Sequence, residues 1–145
     1  SCSSSGVPFV DGRCAPDGNY YLVYGHHMRN KTMFGQLPQY ADLEYYNAHP
    51  IIRFDTLYEQ REYQVVAVFF SRVYDKGETD VSRYYEYYDL SEKEVFDEYM
   101  KEVRAAEIYE TGIDVTFGDE LLVLSTCNYH IENGRFIVVA KRTDK

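Results

Sequence analysis

From Tyr63 to Tyr74 the chain is rich in β-type residues and continuously apolar at its centre, Val65 to Phe70, and this run restricts the fold more than any other feature. It has no polar face, so it reads as a strand covered on both sides or set in a barrel wall. It is also far shorter than the roughly 20 apolar residues that a helical membrane span requires. A second β-type run, Ile51 to Tyr58, precedes it across Glu59, Gln60, Arg61 and Glu62, which is hairpin spacing. Tyr20 to Tyr24 is β-branched and aromatic and stops at Gly25. The chain closes with Glu120 to Thr126 and Arg135 to Lys141, joined through the turn residues Glu132, Asn133 and Gly134. With a short apolar segment at Val7 to Val10, about six strands are expected. Regular βαβ alternation is absent, which argues against a doubly wound parallel sheet and makes a closed or nearly closed mixed β-barrel the expected architecture.

Helical spacing occurs twice. Met33, Phe34, Leu37, Tyr40, Leu43 and Tyr46 recur around Pro38, as for two short helices or one broken at the proline. Further on, Ser91 and Glu94 form a Ser-x-x-Glu capping box and Leu90 with Val95 a hydrophobic staple. Val95, Phe96, Tyr99, Met100 and Val103 then line one stripe, and Gly112 offers a left-handed stop, which predicts one amphipathic helix over about 92–111. Between the long strand and this helix, Asp75 to Asp89 is polar and tyrosine-rich and reads as an exposed loop. With 145 residues and no repeat or linker, a single domain over residues 1–145 is expected.

The net charge of −9 repels phosphate backbones, so nucleic acid is not expected as a partner. Three cysteines leave at least one unpaired in any disulfide scheme; Cys2 and Cys14 are close enough in sequence to bridge in an oxidising compartment, though sequence does not supply the geometry. Asp114, Asp119 and Glu120 lack the regular ligand spacing of a calcium loop, and no metal is expected.

Cys127 follows Leu121-Leu122-Val123-Leu124-Ser125-Thr126, at a strand end where a packed scaffold presents side chains to loops. Two readings stand at this point: a small buried hydrophobe, the commoner fate of a free cysteine, or a nucleophile. His26 also ends a strand, and an imidazole titrating near neutrality is the usual partner of a reactive thiol. Arg135 opens the last strand, where a guanidinium can hold a developing oxyanion, although taken alone it reads as a surface arginine.

Taken with their flanks, these three positions resemble the sortases, the cysteine transpeptidases of Gram-positive cell surfaces. Tyr24-Gly25-His26-His27-Met28 is similar to the family's Tyr-Gly-His-x-Met, and Met33-Phe34-Gly35-Gln36-Leu37 to the Met-Phe-Gly-x-Leu that follows it. Leu124-Ser125-Thr126-Cys127 resembles its Leu-x-Thr-Cys, and Gly134-Arg135-Phe136-Ile137-Val138-Val139-Ala140 its arginine strand. Pro8-Phe9-Val10-Asp11-Gly12-Arg13 resembles an apolar-Asp-x-Arg segment of the same family. The helix before the cysteine strand is similar to that in the long loop of class B sortases.

The resemblance implies a mainly β, eight-stranded sortase-like barrel, relative to which this chain lacks the N-terminal helices, the first strand and the membrane anchor. It implies Cys127 as nucleophile, His26 as acid/base and Arg135 as the residue that orients substrate or stabilises the oxyanion, with Ser125, Thr126, Tyr84 and Tyr85 along the peptide groove and no cofactor. The implied reaction cuts an Asn-Pro-x-Thr-x-like sorting signal of secreted surface proteins after Thr. It passes the acyl group to an amine of peptidoglycan or a pilin, at the extracellular face of a Gram-positive membrane. A cysteine peptidase using water and an inactive peptide-binding fragment are the alternatives.

Overall fold

The computed structural model describes residues 9–10, 20–25, 37–55, 60–72, 90, 92–128 and 134–143. Six strands, β1 (Phe9–Val10), β2 (Tyr20–Gly25), β3 (Ile51–Asp55), β4 (Gln60–Arg72), β5 (Leu121–Asn128) and β6 (Gly134–Arg142), form one sheet in the order β1-β2-β5-β6-β4-β3. β2 runs parallel to β5 and every other neighbouring pair is antiparallel, so the sheet is mixed as expected. Barrel closure is not seen among the described residues. The edge strands β1 and β3 are two and five residues long, and they do not pair with each other.

The apolar run of β4 is buried on both sides, with Val65 to Phe69 all at most 4% exposed. On one face Ala67, Phe69, Val123, Ile137 and Val139 pack beneath the longer helix, through Phe96, Tyr99 and Val103. On the other, Val68, Leu122, Leu124, Val138 and Ala140 pack against Leu37, Tyr40 and Tyr46. Those last three belong to a 3-10 turn (Leu37–Ala41) and to α1 (Leu43–Ala48), the two short helical pieces expected around Pro38. Asp42 caps α1 by accepting the Glu44 N–H at 3.0 Å.

The longer helix, α2, spans Lys93–Ala106, with the expected stripe turned to the sheet. Its ends differ from expectation. The N-cap is Glu92 with no side-chain cap bond, so Glu94 falls one position short of the capping-box site and Ser91 lies outside the described residues. The helix stops at Ala106, well before Gly112, whose φ of +74° belongs to the connector that follows. Tertiary hydrogen bonds end it. A bulge between Val65 and Ala67 takes the Val66 carbonyl off the ladder. That carbonyl accepts Arg104 Nη1 at 3.3 Å and Thr111 Oγ1 at 2.6 Å, while the Ile108 N–H donates to Val68 O at 2.9 Å. Arg104 Nη2 also grips Ile113 O. These partners draw residues 107–113 along β4 and out of the helical path.

At the far end of the sheet a buried carboxylate joins three strands. Tyr63 donates to Glu120 Oε2 at 2.5 Å, Arg142 Nη1 lies 3.3 Å from Oε1, and Arg61 Nη1 lies 3.5 Å from Oε2. Removing one member of such a cluster leaves uncompensated charge. Glu120→Leu is therefore expected to cost about 3 kcal/mol in urea unfolding. A loss below about 1 kcal/mol contradicts the clamp.

Three phenols titrate above their ordinary range. Tyr109, which donates to Tyr40 O at 2.6 Å, is pushed up to about 12 by burial and then by the negative charge that Tyr46 and Asp42 carry at alkaline pH. Tyr40 and Tyr63 are raised, first by burial and then, respectively, by Tyr45 and by the hydrogen bond to Glu120. A group with a raised folded pKa adds stability that is complete below its unfolded pKa and is lost as pH rises. Unfolding free energy is thus expected to fall above about pH 10. Tyr109→Phe should shallow that decline in urea titrations at alkaline pH, and an unchanged slope refutes it.

Candidate active site

Residues singled out by the sequence converge where β2 and β5 end and β6 begins. Parallel pairing sets Tyr24 beside Ser125 and Gly25 beside Thr126, so β2 ends one residue before His26, level with the residue before Cys127. His26 itself lies outside the described residues, as do Tyr84, Tyr85, Cys2 and Cys14. β5 continues to Asn128, so Cys127 is inside a strand and not just beyond one. It is set there by an antiparallel register in which Cys127 and Arg135 are direct partners and Asn128 meets Gly134. On the other side of β6, Arg135 is opposite Ser71.

Strand alternation separates the neighbours of this row. Ser125 opposes Ile137, Arg135 lies two residues before Ile137, and both therefore share the face covered by α2. Thr126 opposes Phe136 on the opposite face. Ser125 and Thr126 are each 1% exposed, and the Thr126 Oγ1 has no hydrogen-bond partner among the described residues.

Arg135 is 9% exposed, and its Nη1 donates to the carbonyl of its neighbour Gly134 at 2.9 Å. Among the described residues it meets no carboxylate. A buried guanidinium carries five donors and a full charge, and leaving that charge without a counterion is costly unless an anion completes the site. The carbonyl orients the group without neutralising it, and no carboxylate among the described residues does so. Such an arrangement suits charge that develops on a carbonyl oxygen during acyl transfer.

Asp119 and Glu120 hold their carboxylates within the protein, and Asp114 is held through its backbone carbonyl. Asp119 Oδ2 accepts the Thr116 N–H at 2.9 Å, the Asp114 carbonyl accepts Lys141 Nζ at 2.6 Å, and Glu120 holds the clamp described above. Sequence reading passed over Ser71. The signal was present as the hydroxyl that ends the apolar run Val65 to Phe70, but only the β4–β6 register sets it beside Arg135.

A family model described as a sortase domain matches residues 3–143. The chain is similar to sortase B of Listeria monocytogenes, 28% identical over 126 residues that cover 86% of this chain and 48% of that protein. The chain spans about half the length of the curated relatives it matches. Among solved structures it resembles sortase B from the type II pilus of Streptococcus pneumoniae, with a TM-score of 0.79 and 26% identity over 98% of this chain and 78% of that one. It likewise resembles a Staphylococcus aureus sortase B–substrate complex, with a TM-score of 0.76 and 27% identity over 94% of this chain and 62% of that one.

The Thr126 hydroxyl, buried without a partner among the described residues, leads to a stability expectation. Replacing a buried, unsatisfied polar group by an apolar group of the same shape removes a desolvation penalty of about 1–3 kcal/mol. Thr126→Val should accordingly raise the urea midpoint, and a lower midpoint shows that the hydroxyl has a partner in solution.

Proposed function

The chain belongs to the sortase family, as a domain of the class B type, and from that membership we propose that it is a cysteine transpeptidase working through Cys127, His26 and Arg135. The observation that carries the assignment of residues is the register, which makes Cys127 and Arg135 direct partners while Arg135 keeps an uncompensated charge among the described residues. Directly opposed positions of an antiparallel pair lie on one face, within reach of a common substrate atom. The end of β2 level with Thr126 supports His26 as the third member.

In this reading the Cys127 thiolate attacks the carbonyl of the sorting-signal Thr, and Arg135 counters the charge that forms on oxygen. His26 protonates the departing amine, leaving a thioester on Cys127. An incoming amine then gives up its proton to His26 as it attacks the thioester, which forms a new amide and restores the Cys127 thiolate beside a protonated His26. Ser125, two residues before the nucleophile on the same face of the sheet, borders the peptide site, Thr126 adjoins it through its backbone, and Tyr84 and Tyr85 contribute aromatic surface for a Pro-containing peptide. The substrate class is an Asn-Pro-x-Thr-x-like signal, the acceptor an amine of peptidoglycan or a pilin, and the setting the outer face of a Gram-positive membrane and its wall.

Incubation with Asn-Pro-x-Thr-x peptides, with and without a small amine, is expected to give an acyl adduct on Cys127 by mass spectrometry, which the amine releases as a new amide. Release to water at the same rate marks a peptidase, and bound peptide with no adduct marks a binding fragment; either result overturns transpeptidation. Cys127→Ala and His26→Ala should form no adduct. Arg135→Ala should slow acylation by about 10²–10³-fold.

A further inference from the structure

The row that contains Cys127 and Arg135 continues onto a third strand. Ser71 is the direct antiparallel partner of Arg135, just as Cys127 is on the other side. One step inward, the row of Ser125, Ile137 and Phe69 is almost wholly buried on the α2-covered face. One step outward the same face becomes polar at Arg135 and Ser71, and Ser71 is half-buried. Its hydroxyl makes no hydrogen bond to the described residues. A half-buried hydroxyl with no hydrogen bond among the described residues, at the register position opposite Arg135, is a group with hydrogen-bonding capacity in reserve.

We propose that Ser71 is a substrate-contacting residue, whose hydroxyl hydrogen-bonds the peptide substrate beyond Arg135 and so determines how much of the peptide is recognised. The inference rests on the transpeptidase reading for its substrate class. Adjacent strands are about 4.8 Å apart, so Ser71 is about 10 Å from Cys127 across the sheet, and extended peptide advances about 3.3 Å per residue. A peptide with its scissile carbonyl at Cys127 and its chain running over Arg135 toward β4 reaches Ser71 about three residues away. The contact is therefore open to long peptides and closed to short ones, and it bears on binding rather than on the thiol.

Two peptides test this, Asn-Pro-Ala-Thr-Gly-Gly-Gly and a form cut back to two residues on each side of the Thr–Gly bond, with KM and kcat for acylation measured on wild type, Ser71→Ala and Ser71→Thr. For the long peptide, Ser71→Ala is expected to raise KM by about 3- to 10-fold, the worth of one hydrogen bond, with Ser71→Thr within about two-fold of wild type. For the short peptide the difference between the variants should vanish, and alkylation of Cys127 by iodoacetamide should proceed equally in all three. An unchanged KM for the long peptide, an equal penalty on both peptides, a slower alkylation or a failure of Ser71→Thr to restore KM each overturns the proposal. If wild type forms no adduct, the transpeptidase reading falls, and fluorescence anisotropy with the labelled long peptide decides Ser71 separately. Weaker binding to Ser71→Ala then sustains the contact, and equal binding removes it.

Discussion

Burial of β4, β5 and β6 on both faces is the constraint from which the site follows. A strand with one wet face can slip along its neighbour by two residues and still keep its apolar side inward. Three adjacent strands packed against α2 on one side and against the 3-10 turn and α1 on the other have no such freedom, because a slip moves side chains out of two cores at once. The register of β5 on β6 and of β6 on β4 is held in this way over nearly the whole strand length. Cys127, Arg135 and Ser71 are consequently set in one row by packing that lies several residues away from any of them.

Both ends of the sheet carry charge, and the two ends handle it differently. Glu120 is surrounded by Tyr63, Arg61 and Arg142, so its carboxylate is compensated and the three strands are tied together at that end. Arg135 has a backbone carbonyl as its hydrogen-bond partner among the described residues, which orients the guanidinium. The same physical cost of buried charge is met by a compensating cluster at one end and, among the described residues, by a single carbonyl at the other. Exposure alone does not separate the two, since both groups are buried; the identity of the partner does.

Much of the fold was legible in the chain. The strands at Tyr20, Ile51, Tyr63, Glu120 and Arg135 are present within a few residues of their expected bounds, because β-branched and aromatic runs of that length have few alternatives. The stripe Phe96, Tyr99 and Val103 likewise faces the sheet as its spacing required. The helix ends were not legible: Glu92 replaces Ser91 as the N-cap, and the connector leaves the helical path for hydrogen bonds to Val66 and Val68. Local capping rules describe an isolated helix, and here partners some forty residues earlier in the chain outweighed them.

By itself the sequence determined the element types, the two-sided burial of the central strand and the motifs around His26, Cys127 and Arg135, since side-chain chemistry and periodicity are local properties. Tertiary structure alone decided the strand order, the parallel pairing of β2 with β5, the open sheet among the described residues and the presence of Ser71 in the row of the cysteine. These depend on which strands meet and in what register. That choice is made by the simultaneous packing of two cores, and it is written at no single position along the chain.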